Sequence, residues 1–196
     1  MYREFCYDGA EHFSVMNLPG MEQHAVLLDS VSKRYSACGV RIGALISRNR
    51  ELMDTALRFA QARLSPPTLG QVAAEAAIDT PPAYFKKVRD EYTRRRNLVT
   101  KELNRMAGVR CPVPKGAFYV VAQLPIDDGD RFCRWLLESF EHEGQTVMLA
   151  PAGGFYFSEG AGKNEVRIAY VLNEEALGKA MLCLSQALAV YPERTQ

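Results

Sequence analysis

The stretch that decides the fold is residues 24–47, which read HAVLLDSVSKRYSACGVRIGALIS. It contains two short apolar runs, at 24–31 and 40–47, and both are bounded by polar residues. Runs of this length and composition are typical of buried β-strands, and the small, polar segment SKRYSACG between them predicts a loop. The sequence therefore predicts two buried strands, with Lys33 in their connection and Arg41 near the start of the second strand.

Helical periodicity follows the second apolar run. Apolar residues spaced by three and four predict a helix from Arg50 to Leu64, which the prolines that follow it would end. Further helices are predicted over 69–78 and 83–106. The arginines at 94–96 have acidic neighbours and are interpreted as a solvated helix face.

The pattern changes after Gly108. Two helices, from Arg131 to Glu143 and from Glu174 to Ala189, accompany four strand-like pieces: VRCPVP, AFYVVAQL, TVMLAP and EVRIAYV. The sequence therefore predicts an α/β chain with residues 1–70 in one sheet-containing part, 71–107 as a helical connector and 108–196 as a compact α+β lobe.

Composition narrows the class of protein. The 196 residues include 24 Lys and Arg against 23 Asp and Glu, so a strongly basic nucleic-acid footprint is not predicted. No apolar run approaches the roughly 20 residues of a membrane helix, and the first residues lack a signal-peptide core. Five cysteines without CxxC spacing and three scattered histidines predict reduced thiols in the cytoplasm and no metal site.

Three cations adjoin apolar runs: Lys33, Arg41 and Arg167. Burying an unpaired cation is costly, so each of these residues implies an anionic partner nearby. Acidic residues close in sequence are few (Asp29 and Glu165), and ligand anions are therefore candidate partners.

The spacing of residues around Lys33 indicates a family more specifically than the three cations do. The segment SVSK at 30–33, followed by GVRIG at 39–43, resembles the cofactor-lysine motif of fold-type I pyridoxal-phosphate enzymes, specifically class I/II aminotransferases. The resemblance continues in the same order as in that family through four further elements: Tyr2, PKGAFY at 114–119, VMLAP at 147–151 with Phe155, and VRI at 166–168.

This resemblance implies roles for five residues. Lys33 would bind the aldehyde of pyridoxal 5'-phosphate as a Schiff base and act as the general base at the substrate Cα. Arg41 and Ser30 would hold the cofactor phosphate, and Tyr2 would donate a hydrogen bond to the phenolic oxygen. Arg167 would bind the substrate α-carboxylate through two parallel hydrogen bonds.

The resemblance also implies an incomplete site. It covers the C-terminal part of the pyridoxal-phosphate-dependent transferase fold: the end of the large-domain sheet, a long connecting helix and the α+β small domain. In that family the residues that stack on the ring and bind its pyridine nitrogen precede the equivalent of Tyr2. We therefore expect the C-terminal half of an aminotransferase, inactive alone, whose full-length form is a cytoplasmic homodimer.

The implied substrates are an amino acid and a 2-oxo acid, with aspartate and 2-oxoglutarate as one candidate pair. Two alternatives share the motifs. One is a C–S lyase or synthase of the same fold. The other is the aminotransferase-like sensor domain of a transcription regulator, which a DNA-binding segment upstream would indicate.

Overall fold

The computed structural model describes residues 2–195, and the chain divides into two compact units with the boundary between Lys87 and Val88. Among the described residues, the first unit holds a pair of strands and several helices, and the second holds a separate sheet that is accompanied by further helices. The longest helix, α4 (Pro82–Leu103), contains the boundary. Every helix among residues 2–195 is too short or too polar to cross a membrane.

The strands of the first unit are β1 (Val26–Ser30) and β2 (Gly43–Ser47). They are antiparallel, with Val26 opposite Ser47 and Ser30 opposite Gly43. Their connection contains a short helix, α1 (Val31–Arg34), and a 3-10 turn (Cys38–Val40). The predicted loop thus includes one helical turn, because the Ser30 hydroxyl caps it by accepting a hydrogen bond from the Ser32 backbone N–H at 3.1 Å.

Two helices follow in the first unit. Helix α2 (Arg50–Arg63) begins where Asn49 caps it, since the Asn49 side chain accepts from the Leu52 backbone N–H at 3.0 Å. Helix α3 (Thr68–Ala76) comes after the two prolines, and a 3-10 turn (Ala77–Asp79) follows it. Prolines separate the two helices because they supply no backbone donor.

The prediction that β1 and β2 are buried is wrong. Leu28 is 65% exposed and Ile46 is 43% exposed, and no residue of α2 is buried. Continuous apolar runs are typical of strands that are covered on both faces. Within the described part of the chain these two strands form a two-stranded sheet by themselves, so their apolar side chains remain accessible.

The second unit contains an antiparallel sheet in the order β3 (Tyr119–Gln123), β5 (Glu165–Ala169), β4 (Ala150–Pro151). Alternate residues of the two long strands are buried, and the residues between them are exposed or half-buried, as expected for a sheet with one covered face. The buried residues are Val120, Ala122, Val166 and Ile168. The first piece, VRCPVP, contributes a single bridge between Arg110 and Gln123.

Helices α5 (Gly129–Glu138) and α6 (Glu174–Val190) supply the rest of this core. Asp128 caps α5 and Asn173 caps α6, each through a side-chain oxygen that accepts a backbone N–H. Their buried apolar faces include Phe132, Leu136, Leu177, Met181, Leu184 and Leu188. The second unit therefore has the larger apolar core among the described residues.

The interpretation of residues 94–96 as a solvated face holds for Arg94 and is wrong for Arg96, and the Arg95 side chain is only 16% exposed. Arg96 is 2% exposed, and its guanidinium donates to the backbone carbonyl of Pro114 at 3.1 Å. Arg94 and Arg95 pair with Glu91, one helical turn away. Burial of Arg96 is tolerated because its charge is hydrogen-bonded.

Candidate active site

Lys33 lies in the single turn of α1, directly after β1. The turn is held by Ser30, whose hydroxyl donates to the Ser32 hydroxyl at 2.9 Å and lies 3.2 Å from the carbonyl oxygen of Ile42. Ile42 immediately follows Arg41. Ser30 therefore joins the beginning and the end of the connection that contains Lys33.

The chain then reverses direction after Lys33. Ser36 has a φ of 52°, in the left-handed region, and the Ala37 backbone N–H donates to the Ser32 carbonyl at 3.0 Å. This reversal places the Cys38 thiol next to the lysine, with Lys33 Nζ donating to Cys38 Sγ at 3.7 Å. The sequence pattern did not indicate this contact, because a left-handed serine has no compositional signal of its own.

Arg41 is exposed and also left-handed, with a φ of 58°. Its Nη1 donates to the Cys38 carbonyl at 2.9 Å, which holds the guanidinium close to the same turn. Helix α3 supports this region, because a Cβ at Gly70 would lie 2.8 Å from the Val40 carbonyl oxygen. Only glycine allows that approach without a shift of the backbone.

Tyr2 belongs to the same unit and is half-buried. Its carbonyl accepts from the Phe5 backbone N–H at 2.9 Å, and the two rings meet edge to face with centroids 6.4 Å apart. The neighbouring charges are paired: Arg34 lies 3.0 Å from Glu4, and Arg3 lies 3.6 Å from Asp29.

Asp29 shows the electrostatic effect of this arrangement. Partial burial would raise the pKa of its carboxyl, but the Ser30 backbone N–H and the Arg3 guanidinium stabilise the charged form. The pKa of Asp29 is lowered as a net result. The connection that follows β1 therefore begins at a fixed negative charge.

Arg167 lies in the second unit, on β5, the central strand of its sheet. Its guanidinium carbon is 4.7 Å from the centre of the Tyr119 ring and 4.5 Å from that of Phe155. Val121 is directly opposite Arg167 on β3, and Tyr119 is two residues from Val121, so Tyr119 is a diagonal neighbour on the same face. Both aromatic residues stand in the quoted motifs, but sequence reasoning assigned neither of them a role.

The acids close to Arg167 in sequence have other partners. Tyr156 Oη donates to Glu165 Oε2 at 2.5 Å, and this hydrogen bond raises the pKa of Tyr156. Glu174 pairs with Arg94 at 3.2 Å. Arg167 is half-buried and is contacted by aromatic rings, with its N–H groups suited to a planar anion.

Comparison with known proteins identifies the family. The family model for class I and II aminotransferases matches residues 1–182. The chain belongs to the class I and II aminotransferase family. This confirms the family and the α/β fold class predicted from the motifs, whereas the roles of individual residues stay predictions.

Curated relatives in this aminotransferase family have similar sequences. The chain is 31% identical over 200 residues to an aspartate aminotransferase of Rhizobium meliloti, covering 95% of this chain and 46% of the relative. It is 33% identical over 184 residues to aromatic-amino-acid aminotransferase 2 of Thermococcus litoralis, covering 92% and 45%. The chain thus spans a little under half the length of these relatives.

Solved aminotransferase structures have similar folds. An aromatic aminotransferase of Pyrococcus horikoshii matches with a TM-score of 0.82 at 29% identity, over 96% of this chain and 49% of that one. The aspartate aminotransferase of Rhizobium meliloti matches with a TM-score of 0.79 at 28% identity, over 95% and 48%.

Proposed function

We propose that this chain carries the lysine-bearing part of a pyridoxal-phosphate-dependent aminotransferase site. The observation that carries the proposal is the connection between β1 and β2. It holds Ser30, Lys33 and Arg41 within one short segment whose two ends are joined by the contact of Ser30 with Ile42. An amine, a hydroxyl and a guanidinium together suit an aldehyde that also carries a phosphate.

The donors present fit pyridoxal 5'-phosphate chemically. A guanidinium and a hydroxyl are the usual partners of a phosphate dianion, and the guanidinium of Arg41 is exposed with one N–H used by the Cys38 carbonyl. The Ser30 hydroxyl has a single proton that can turn from its local acceptors toward a phosphate oxygen. Lys33 would hold the aldehyde carbon, and Tyr2 would donate to the phenolic oxygen.

Lys33 would also move the proton. When bound, the cofactor supplies an electron sink for the bond broken at the substrate Cα. The Lys33 amine takes the proton from Cα and returns it as general acid, which requires a flexible primary amine rather than a guanidinium.

Arg167 would orient the amino acid by binding its α-carboxylate with two parallel N–H donors. Contacts with Tyr119 and Phe155 restrict the guanidinium while leaving N–H donors for the substrate. Restricting the arginine in advance reduces the entropic cost of holding the substrate in one orientation.

An amino acid and a 2-oxo acid are the proposed substrates, because the family transfers amino groups between them. The relatives are named for aspartate and aromatic amino acids, and we take these as the first substrates to test. We further propose that the full-length enzyme works as a homodimer in the cytoplasm. The family resemblance supports the dimer, and the five cysteines without paired spacing support the compartment.

Reductive trapping tests the lysine. The 196-residue chain is incubated with pyridoxal 5'-phosphate, reduced with borohydride and mapped by tryptic peptides. We expect the label on Lys33, loss of the label in Lys33→Ala, and an unchanged label in Lys87→Ala, a change at an exposed lysine of the same unit. Label on another lysine, or no label at all, contradicts the proposal.

A second measurement concerns the activity of this chain by itself. We expect the 196 residues to transaminate inefficiently with aspartate and 2-oxoglutarate, because the ring-holding residues expected of the family are not among them. With an S-substituted cysteine as substrate, product analysis separates transamination, which yields a new 2-oxo acid, from β-elimination, which releases the thiol and yields pyruvate and ammonia. Specific activity near that of a full-length relative would contradict this expectation.

A further inference from the structure

The Lys33–Cys38 contact brings two nucleophiles together. Lys33 Nζ lies 3.7 Å from Cys38 Sγ, and the thiol in turn donates to the Ser32 carbonyl at 3.3 Å. Because the S–H proton points at this carbonyl, the sulfur lone pairs remain for the amine. None of the roles proposed above uses the thiol.

Backbone hydrogen bonds bring residues 33 and 38 close together, so the contact does not depend on the two side chains alone. The Tyr35 backbone N–H donates to the Val31 carbonyl at 3.1 Å, and the Ala37 N–H donates to the Ser32 carbonyl at 3.0 Å. With Ser36 left-handed, the chain folds back so that residue 38 returns to residue 33. The 3-10 turn (Cys38–Val40) follows this reversal directly in the chain.

We propose that Lys33 and Cys38 form a covalent, reversible N–O–S bridge when the protein meets a peroxide. The 3.7 Å separation of the two atoms is too long for a direct bond, and one bridging oxygen atom leaves a smaller gap to close than a direct bond would. The four-carbon lysine stem is flexible and can close the remaining gap. The bridge is a modification site that goes beyond the proposed function.

The chemistry balances with two molecules of hydrogen peroxide. The first oxidises the Cys38 thiol to a sulfenic acid: an S–O bond forms, the peroxide O–O bond breaks, and one water leaves. The second is reduced to two waters as it takes one hydrogen from the amine and one from the sulfenic acid, while an Nζ–O bond forms. The chain gains one oxygen atom and loses two hydrogen atoms.

Exposure favours this thiol over the others. Cys38 is exposed and Lys33 is half-buried, so a small oxidant can reach both groups. Cys111, Cys133 and Cys183 are buried in the second unit. If Lys33 is the cofactor lysine, the bridge blocks its amine, and a thiol reductant that cleaves the bridge makes the amine available again. This consequence rests on the proposed function, whereas the bridge itself does not.

Peptide mapping without cofactor tests the bridge. The 196-residue chain is treated with hydrogen peroxide, its free thiols are alkylated without reductant, and it is digested with trypsin. We expect peptide 4–34, alkylated at Cys6, joined to peptide 35–41 and uncut after Lys33, at about 14 Da above the sum of the alkylated 4–34 peptide and the unmodified 35–41 peptide. Dithiothreitol should separate the peptides and restore cleavage after Lys33.

Variants distinguish the bridge from a disulfide, since Cys6 lies in the same tryptic peptide as Lys33. Cys38→Ser and Lys33→Arg should abolish the joined species, whereas Cys6→Ser should retain it. A joined species about 2 Da below the sum of the two unalkylated peptides, or Cys38 oxidised to a sulfinic acid with normal cleavage at Lys33, overturns the bridge.

Reductive trapping of the cofactor separates the two proposals. If borohydride labels Lys33 but no joined peptide forms, the bridge alone is wrong. If the joined peptide forms but pyridoxal 5'-phosphate never labels Lys33, the bridge stands and the proposed function is wrong.

Discussion

The guanidinium carbon of Arg167 lies 4.5 Å from the centre of the Phe155 ring, on the half-exposed face of the three-stranded sheet. Phe155 ends the 3-10 turn after β4, twelve residues before Arg167 in sequence. The ring attracts the cation through its negative face and restricts the motion of a long side chain. The proposed binding of a carboxylate by Arg167 should therefore depend on this ring.

We expect Phe155→Leu to weaken binding of a carboxylate ligand such as succinate by about two- to fivefold, as the loss of a half-exposed cation–π contact implies. An NMR titration that follows the Arg167 side-chain N–H resonance measures this change. Phe157→Leu is the matched control, because Phe157 is fully accessible. Equal effects of the two substitutions would show that the Phe155 contact does not restrict Arg167.

Helix α5 offers a direct test of the core in the second unit. Leu136 is 0% exposed and the adjacent Leu137 is 55% exposed. We expect Leu136→Ala to lower the free energy of unfolding by about 2–5 kcal/mol, because it removes buried methyl groups and leaves a cavity. Leu137→Ala should cost no more than about 1 kcal/mol. Urea unfolding of the two variants measures the difference, and similar losses in both would contradict the burial described.

Thiol reactivity should follow burial. Removal from water raises the pKa of Cys111 to about 11 and, with a contribution from Asp130, raises that of Cys133 to about 11. At about pH 8 roughly one such thiol in a thousand is ionised, so these residues should resist alkylation in the folded protein. Cys38 is exposed and should react first. Time-resolved iodoacetamide labelling with peptide mapping checks this order, and early labelling of Cys111 would disprove it.

The stability of the second unit should depend on the ionisation of Asp127. Burial would raise the pKa of Asp127, but hydrogen bonds from Tyr191 at 2.9 Å, the Asp128 backbone and Arg131 outweigh burial and lower it. A carboxyl with a lowered pKa stabilises the folded state above its unfolded pKa of about 4, and this contribution is lost as the pH falls through the folded value.

Tyr191→Phe removes one of these hydrogen bonds and brings the pKa of Asp127 closer to its ordinary value. We therefore expect the variant to be less stable at about pH 6 and to lose less further stability on acidification below about pH 4 than the unmodified chain. Urea unfolding at a series of pH values measures both effects. Parallel stability curves for the two proteins would show that Tyr191 does not influence the titration of Asp127.

The short connection around Lys33 was predictable because its residues are close in sequence. Ser30, Lys33 and Arg41 are separated by few residues, so any compact connection between β1 and β2 keeps them in one segment. The helical turn inside it and the left-handed Ser36 and Arg41 were not predicted. Both depend on backbone hydrogen bonds rather than on a periodic pattern of apolar residues.

Whether each predicted piece forms a strand depends on its backbone N–H donors, and whether that strand is buried depends on the segments that pack against it. The AFYVVAQL and EVRIAYV pieces contain β3 and β5, and the residues EVRI alternate polar and apolar side chains as a sheet with one buried face requires. VRCPVP yields a single bridge since Pro112 and Pro114 have no N–H to donate. β1 and β2 were predicted as strands, but their exposure was not, because coverage depends on which other segments pack against them.

The sequence by itself determined the family, the α/β class and the order of the charged residues. The spacing of residues along the chain is the same whatever tertiary contacts form. Tertiary structure decided which side chains meet. Phe155 and Tyr119 reach Arg167 from other motifs through the turn after β4 and the β3–β5 register. Cys38 reaches Lys33 through the reversal at Ser36. Such contacts depend on backbone geometry and strand register, which the identity of a single residue does not specify.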